Sequence, residues 1–488
     1  MTAQPILIGG EWKAGRGPVV VSHYPHDQSV SGEVTGASPA DVDDAVAAGK
    51  RALADPKWRD LLPHQRALHL YRIADLITAR AEDLAQLQRR DNGKPISETR
   101  ALVASAAGTF RYFGAVCETA EAELTPSRGP YLTMSTWDPC GVVAAITPWN
   151  SPIASDAQKL APALAAGNAV LLKPAGPTPL VALELGRICL EAGLPKGVVS
   201  VLPGAGRSVG NAIVEHPDVK MVSFTGGTST GKAIAHVAAD KMMPVILELG
   251  GKSPTIVCED AEIDHAVNGV IFGIFSSAGQ SCIAGSRLFV AAKIYDAFLE
   301  KLVAKTKALR IGDPASETTQ MGPQITPEHR ASIEAYIDAG RKEGGAVLCG
   351  GERPAGAVYA KGNYLLPTVI AGLGNRARVA QEEIFGPVLV AIPFRDEEDL
   401  VAQANDSVYG LASGIWTRDY RRAWRLGRRL EAGTVWVNTY KLFSIATPFA
   451  GRKDSGIGVE KGRLGIRNYM RQKSVYWGLN EAPMPWAD

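Results

Sequence analysis

The sequence has little net charge and no long apolar run. Its 488 residues include 52 basic and 50 acidic side chains, a net charge of +2, and charges of one sign do not cluster. A basic face for nucleic acid or for an anionic membrane surface is therefore not indicated. No stretch reaches the ~18 apolar residues that a membrane span requires. With 46% apolar and 21% charged residues, the chain can bury the cores of two or three domains, and we expect small-molecule ligands, no nucleic acid and no membrane.

Cysteine and histidine are also few, and neither is arranged for cross-linking or metal binding. The six cysteines, at 117, 140, 189, 258, 282 and 349, form no C-x-x-C pair, which favours reduced thiols over a disulfide framework. The eight histidines lack the spacing of a zinc site, so we expect no metal.

The N-terminus, MTAQPILIGGEWKAG, has no basic head and no apolar stretch of signal-peptide length. We therefore expect a cytoplasmic protein.

Two kinds of pattern follow one another along the chain. Residues 39–125 are mainly helical in pattern, with Ser38 or Asp41 as a candidate cap at the start. From 141 onward short apolar runs alternate with helical stretches, and a second series of the same kind begins after 251. This alternation predicts an α/β fold with parallel sheets. The helices are expected near 152–166, 179–192, 206–215, 229–239, 261–276, 295–308 and 397–404.

The segment SFTGGTSTGKAIA (223–235) resembles a nucleotide phosphate loop, but it lacks the residues that such loops need. Ala233 stands where a Walker loop has the Ser or Thr that binds magnesium, and the glycines at 226, 227 and 231 do not fit G-x-G-x-x-G. An apolar strand still leads through small residues into a helix, whose free N–H groups attract an anion. The segment is therefore either an anion-binding turn or a structural glycine turn.

Three polar residues are candidates for chemistry, and each also has a structural explanation. Glu248 lies in the apolar strand PVILELGG, where burial would raise its pKa toward that of a general base, or where backbone groups could satisfy a buried acid. Cys282 lies among small residues in SSAGQSCIAGSR, so it is either a nucleophile or a packing residue. Asn150 in ITPWNSP could stabilise an oxyanion or cap the following helix.

Seven motifs together resemble the aldehyde dehydrogenase superfamily. They are TPWN, KPA followed by TPL, FTGGTSTG, ELGGKSP, GQSC, EEIFGPV and PFAGRKDSG, in the order of the family and across nearly the whole chain. The resemblance implies two Rossmann-like α/β domains and a small β excursion for oligomerisation. The dinucleotide-binding domain would comprise residues 1–120 and 140–249, and the catalytic domain residues 250–465. Segments 121–139 and 466–488 would pair between subunits of a homodimer or homotetramer.

The resemblance also implies an activity, the NAD(P)-dependent oxidation of an aldehyde to a carboxylic acid. Cys282 would attack the aldehyde, and Asn150 with the backbone N–H of Cys282 would hold the oxyanion. Glu248 would activate the water that hydrolyses the thioester, and its presence favours hydrolysis over transfer to coenzyme A. Lys159 and Glu460 match the proton-relay positions. The alternatives are a cofactor-independent thiol hydrolase and a non-catalytic dinucleotide-binding or structural protein.

The same resemblance assigns residues to the cofactor and to the substrate tunnel. Gly176 replaces a glutamate that in NAD-preferring relatives accepts hydrogen bonds from the adenosine ribose, so we expect NAD to be used and NADP to be tolerated. The tunnel has polar residues where relatives have bulky ones, which predicts a bulky or functionalised aldehyde or its cyclic hemiacetal. The cofactor residues would be Ile146, Thr147, Pro148, Trp149, Lys173, Gly176, Gly206, Phe224, Thr225, Gly226, Gly227, Gly231, Leu249, Glu383 and Phe385, and the tunnel residues Ser151, Gln158, Ser276, Ser281, Ile283, Phe443 and Phe449.

Overall fold

The computed structural model describes residues 2–481 and residue 486, and contains 22 strands within them. The strands are β1 (Ile6–Ile8), β2 (Glu11–Lys13), β3 (Val20–His23), β4 (Val30–Val34), β5 (Glu123–Thr125), β6 (Tyr131–Pro139), β7 (Val142–Ile146), β8 (Ala169–Lys173), β9 (Val199–Val201), β10 (Val219–Thr225), β11 (Val245–Glu248), β12 (Pro254–Val257), β13 (Arg287–Ala291), β14 (Ala346–Cys349), β15 (Thr368–Ala371), β16 (Val388–Phe394), β17 (Tyr409–Gly410), β18 (Ala412–Trp416), β19 (Thr434–Val437), β20 (Arg452–Lys453), β21 (Gly456–Ile457) and β22 (Met470–Gly478).

The described residues also form 15 α-helices. The first, α1, begins with a capping box: the Asp41 backbone N–H donates to the Ser38 hydroxyl, and the Asp41 carboxylate accepts from the Ser38 backbone N–H. Both predicted cap residues therefore take part. The helices are α1 (Pro39–Ala54), α2 (Pro56–Arg59), α3 (Pro63–Ala79), α4 (Ala81–Asn92), α5 (Ile96–Glu118), α6 (Pro152–Ala165), α7 (Leu180–Glu191), α8 (Asn211–Glu215), α9 (Thr228–Asp240), α10 (Ile263–Phe275), α11 (Tyr295–Lys307), α12 (Pro327–Lys342), α13 (Arg378–Gln381), α14 (Glu397–Asn405) and α15 (Tyr420–Arg429).

The first large sheet has eight strands in the order β2-β1-β9-β8-β7-β10-β11-β21. Strands β9, β8, β7, β10 and β11 are parallel, and every residue of β7 and β8 is buried. The chain moves outward from β7 to β8 and β9 and then returns to β10 on the other side of β7. This reversal opens a crevice at the carboxyl ends of β7 and β10, the usual ligand position in such sheets.

The second large sheet has seven strands in the order β14-β15-β16-β13-β12-β18-β19. All its pairs are parallel except β14 with β15. The two sheets confirm the predicted α/β class. Strand β21, which follows the second sheet in the chain, pairs with β11 of the first sheet through Glu248 and Gly456, so the C-terminal part of the chain reaches back to the carboxyl end of β11.

A separate three-stranded sheet contains strands from both predicted oligomerisation segments, 121–139 and 466–488. Its order is β22-β6-β5, and β22 pairs with β6 along nine residues, from Met470 with Pro139 to Gly478 with Tyr131. Most residues of β22 are exposed, and β22 is an edge strand. Residues 482–485, 487 and 488 of the predicted oligomerisation segment lie outside the described residues. No helix among the described residues combines the length and apolar content needed to cross a membrane.

Candidate active site

A cavity of about 400 Å³ lies at the crevice of the first sheet and extends to the loop before β13. It brings together residues that are up to 359 positions apart in the chain, from Leu102 to Lys461. The predicted residues that line it are Pro148, Trp149, Asn150, Ser151, Gln158, Thr225, Gly226, Gly227, Glu248, Leu249, Ser281, Cys282, Ile283, Glu383, Phe385, Phe443, Phe449 and Glu460. All three candidates for chemistry, Cys282, Glu248 and Asn150, therefore share one cavity.

Cys282 is held on the cavity wall by a loop in an unusual backbone conformation. Ser277, Ala278 and Gly279 all have positive φ, at 58°, 53° and 72°, which L-residues such as serine and alanine rarely adopt. The Glu98 carboxylate accepts hydrogen bonds from the backbone N–H and the hydroxyl of Ser277, at 2.8 and 2.6 Å. Cys282 is half-buried, whereas the other five cysteines are fully buried. It is thus the one thiol that a ligand in the cavity can reach.

The surroundings of Cys282 favour the protonated form of its thiol. Burial, followed by the negative charges of Glu383 and Glu248, raises its pKa to about 12. The thiolate is the nucleophilic form of cysteine, so a base has to remove the proton before the sulfur can attack an aldehyde.

Glu248 has the properties of that base. It is the last residue of β11, only 3% exposed, and both its carboxylate oxygens lack a hydrogen-bond partner among the described residues. Burial, and after it the charge of Glu460, raises its pKa well above the ordinary value. A buried acid in a structural role would be satisfied by backbone donors, and Glu248 is not. Its free oxygens can accept a proton from a group in the cavity.

Asn150 does not act as the cap of α6. Ser151 occupies the cap position, and the Asn150 side-chain amide donates a hydrogen bond of 3.1 Å to the backbone oxygen of Gln280 in the cysteine loop. An amide nitrogen carries two hydrogens, so the second remains available to an oxygen in the cavity. The contact with Gln280 fixes this amide relative to Cys282.

A buried hydrogen-bonded cluster lies beside Glu248. Lys159 and Glu460 form an ion pair of 2.6 Å with both side chains buried. Lys159 also donates to the Ser223 hydroxyl at 3.1 Å, which accepts a further hydrogen bond from the Tyr469 hydroxyl at 3.1 Å. The second carboxylate oxygen of Glu460 accepts from Gln158. The cluster therefore connects the cavity with the interior of the first sheet through groups that can exchange protons.

The two glycines of ELGGKSP are required by close packing. A Cβ on Gly250 would collide with the Glu383 carboxylate, and one on Gly251 with the backbone oxygen of Cys282. The Gly251 N–H donates to Glu383 at 3.0 Å, and burial raises the pKa of Glu383 to about 7. The chain thus passes from Glu248 between Glu383 and Cys282, and it leaves no room for a side chain.

The segment that resembles a phosphate loop forms a strand, a turn and a helix at the cavity. Strand β10 ends at Thr225 and α9 begins at Thr228, with Gly227 before its first turn. Gly226 and Gly227 line the cavity, and nothing lies within 4 Å of a Cβ placed on Gly227. Lys232 is engaged at the surface in an ion pair of 2.7 Å with Asp454. An anion could therefore approach the backbone N–H groups at the start of α9, without a contribution from the lysine.

Several predicted cofactor residues do not line this cavity. Lys173 is buried, its amine donates to the backbone oxygen of Pro174 at 3.2 Å, and burial lowers its pKa to about 8. Gly176 lines a second cavity of about 560 Å³ with Gly204 and Ala205. The lining of the first cavity omits Ile146, Thr147, Lys173, Gly176, Gly206, Phe224 and Gly231.

One predicted substrate residue lies elsewhere. Helix α10 ends at Phe275, and Ser276 lines a different cavity together with Phe272 and Phe275. There its hydroxyl donates to the backbone oxygen of Phe272 at 2.6 Å and accepts from Lys441 at 2.8 Å. The prediction that Ser276 lines the substrate tunnel is therefore not supported by its position.

Seven residues that line the cavity were not predicted from the sequence. Ala154 and Ser155 could have been found, because they share a face of α6 with Ser151 and Gln158 at helical spacing. His329 packs against Trp149 and Phe385 with ring centroids 5.3 and 6.1 Å away, and no motif marks it. The residues missed are Leu102, Ser105, Ala154, Ser155, Gly250, His329 and Lys461.

Within the described part of the chain, no group of three or more His, Cys, Asp or Glu could hold a metal ion.

Comparison with known proteins agrees with this arrangement. The sequence model of the aldehyde dehydrogenase family matches residues 12–475. A betaine aldehyde dehydrogenase of Sinorhizobium fredii is 42% identical over 494 residues and covers 100% of both chains. A betaine aldehyde dehydrogenase of Bacillus subtilis is 37% identical over 486 residues, with 99% of each chain covered.

Solved structures give the same result. The NAD⁺ complex of an aldehyde dehydrogenase from Bacillus cereus superposes with a TM-score of 0.96 at 38% identity, covering 98% of this chain and 97% of that one. The betaine aldehyde dehydrogenase of Staphylococcus aureus in complex with NAD⁺ has a TM-score of 0.97 at 35% identity, with coverages of 100% and 97%. The chain belongs to the aldehyde dehydrogenase family.

Proposed function

We propose that the protein oxidises an aldehyde to the carboxylic acid with NAD and releases the acid by hydrolysis. The observation that carries the proposal is the shared cavity of Cys282, the sole half-buried thiol, and Glu248, a buried carboxylate without hydrogen-bond partners. In the overall reaction, aldehyde, water and NAD⁺ give carboxylic acid, NADH and a proton.

The first partial reaction uses Cys282, Glu248 and Asn150. Glu248 takes the thiol proton, and the sulfur forms a bond to the aldehyde carbon as the carbonyl π bond breaks. The free hydrogen of the Asn150 amide and the backbone N–H of Cys282 stabilise the resulting oxyanion. Loss of hydride from the carbon leaves a thioester on Cys282.

The residues around the turn before α9 fit a dinucleotide. The open space above Gly227 admits a pyrophosphate to the helix N-terminus, and the Glu383 carboxylate retains one oxygen that accepts no hydrogen bond among the described residues. Leu249, Phe385 and Trp149 supply apolar surface. When bound, NAD⁺ supplies the acceptor for the hydride. The solved relatives named above carry NAD⁺, which supports the same cofactor here.

The second partial reaction uses Glu248 again. Its carboxylate removes a proton from water, whose oxygen attacks the thioester, and the Cys282 sulfur leaves. The Lys159–Glu460 pair lies next to Glu248 and leads to the Ser223 and Tyr469 hydroxyls. We propose that this cluster carries the proton away from Glu248.

The test is formation of NADH that depends on aldehyde. Purified protein mixed with NAD and an aldehyde panel should raise the absorbance at 340 nm and form carboxylic acid in equal amount. A cofactor-independent thiol hydrolase would instead cleave activated esters or thioesters without NAD and produce no NADH from aldehydes. A non-catalytic dinucleotide-binding protein would do neither.

Gly176 governs the choice between NAD and NADP in this proposal. Because no carboxylate occupies position 176 to repel a 2′-phosphate, NADP should be accepted with kcat/KM less than about 1000-fold below that of NAD. Gly176→Glu should increase the preference for NAD about 10-fold or more. Gly374→Glu adds the same charge at a glycine that is equally free of neighbours and should leave the preference unchanged. Discrimination above about 1000-fold in the unaltered protein would contradict the role of Gly176.

The domain division and assembly are also proposals. We assign residues 1–120 and 140–249 to cofactor binding, 250–465 to catalysis, and 121–139 with 466–488 to association into a homodimer or homotetramer. The exposed edge strand β22 supports the last assignment, because an unpaired edge can be covered by another chain.

A further inference from the structure

Lys461 places a positive charge inside the cavity. It follows Glu460 in a left-handed conformation, with φ of 59°, and its side chain lines the cavity with Cys282 and Glu248. Its amine lies 4.0 Å from the ring centroid of Phe443 and 5.4 Å from that of Phe449. The two rings contact each other edge to face, with centroids 5.6 Å apart. The lysine thus covers the aromatic part of the predicted substrate wall.

This ammonium has no anionic partner in the described part of the chain. Glu460 forms an ion pair with Lys159 and accepts a hydrogen bond from Gln158. Among the described residues, the Lys461 amine takes part in neither a hydrogen bond nor an ion pair. Both oxygens of the Glu248 carboxylate lack a hydrogen-bond partner among the described residues, so Glu248 does not engage this amine either. Burial lowers the pKa of Lys461, while the charges of Glu460, Glu248 and Cys282 oppose this effect. An uncompensated, half-buried cation binds an anion more favourably than one that already has a partner.

The wall next to Lys461 is polar. Ser155 and Gln158 of α6, its cap residue Ser151, and Ser105 of α5 line the same cavity. Hydroxyl and amide groups can donate hydrogen bonds to carboxylate oxygens. By contrast, a quaternary ammonium group is recognised by open aromatic faces, and here the lysine ammonium already occupies the aromatic faces.

We propose that the substrate is an aldehyde that carries a carboxylate, and that Lys461 binds this carboxylate while Cys282 attacks the aldehyde carbon. The inference rests on the proposed function and narrows its substrate class. It separates this protein from the relatives named betaine aldehyde dehydrogenase, whose named substrate is a cation that Lys461 would repel.

The test compares substrates that differ only in charge. ω-Oxo carboxylates of four to six carbons, each paired with its methyl ester, and betaine aldehyde are assayed with NAD. The best carboxylate should exceed its ester at least about 10-fold in kcat/KM, and betaine aldehyde should be the poorest substrate. Equal rates for acids and esters, or a preference for betaine aldehyde, would overturn the inference.

Variants of Lys461 distinguish recognition from a structural role. Lys461→Met should reduce the carboxylate-to-ester ratio about 10- to 100-fold, whereas Lys461→Arg should largely retain it. Lys301→Met removes an exposed lysine on α11 and should not change the ratio. If Lys461→Met slows acids and esters by the same factor, Lys461 does not bind the carboxylate. If the unaltered protein forms no NADH from any aldehyde, the proposed function itself fails.

Discussion

Replacing Cys282 by serine is expected to lower kcat/KM for aldehyde oxidation by about 10⁴-fold or more. A hydroxyl is a weaker nucleophile than a thiol and a poorer leaving group in the hydrolytic step, so both partial reactions suffer. The other five cysteines are buried, so none of them can replace the lost sulfur. NADH formation at 340 nm with saturating NAD is the measurement.

A matched substitution controls for effects on folding. Cys349 lies in β14, is buried and does not line the cavity, and Cys349→Ser should change kcat/KM by less than about 3-fold. The Cys282→Ser protein should keep the far-UV circular dichroism and the Tm of the unaltered protein. If Cys282→Ser retains more than a tenth of the activity, another group performs the attack.

Replacing Glu248 by glutamine is expected to lower steady-state turnover by about 10²- to 10⁴-fold. Glutamine keeps the shape of the side chain but cannot accept the proton of the attacking water. The thiol, with a pKa of about 12, is easier to deprotonate without a base than water, with a pKa of about 15.7. Hydrolysis should therefore slow more than attack, and the thioester should accumulate.

The pH dependence provides a second readout of Glu248. Burial and the charge of Glu460 raise its pKa, and only the ionised carboxylate acts as a base. The turnover number should therefore rise with pH through this raised pKa and level off above it. In Glu248→Gln the levelling-off set by this pKa should be lost, because deprotonation then depends on hydroxide, whereas Glu300→Gln, an exposed position on α11, should retain it. An unaltered pH profile in Glu248→Gln would exclude Glu248 as the base.

The parts of the site that could be predicted lie in short continuous segments. Glu248 and the glycines after it, the turn at 225–227 and the loop around Cys282 each combine a strand end with small residues, and such patterns are local. Parallel strands place their carboxyl ends at one edge, so the pattern also brings Glu248 near Asn150. The two α/β sheets followed from the same alternation of strands and helices.

The parts that could not be predicted depend on long-range packing. His329 reaches the cavity from the start of α12, and α12 itself was missed because its buried face is narrow, with only Ile333, Ile337 and Gly340. Ser276 is predicted in the tunnel from the family resemblance, as a polar replacement for a bulky residue, but it does not line the cavity. The left-handed conformations of Ser277 and Ala278 in the loop that follows could not be predicted either, because neither is a residue type that signals such a turn.

In the proposed mechanism Cys282 becomes acylated, and Glu248 then activates the water that releases the acid. The most direct measurement is the intact mass of the Glu248→Gln protein after mixing with NAD and an aldehyde substrate, followed by peptide mapping. We predict a mass increase equal to one acyl group per chain, located on Cys282 and absent from the Cys282→Ser/Glu248→Gln double variant. An unmodified mass during turnover, or an adduct on another residue, would contradict the account.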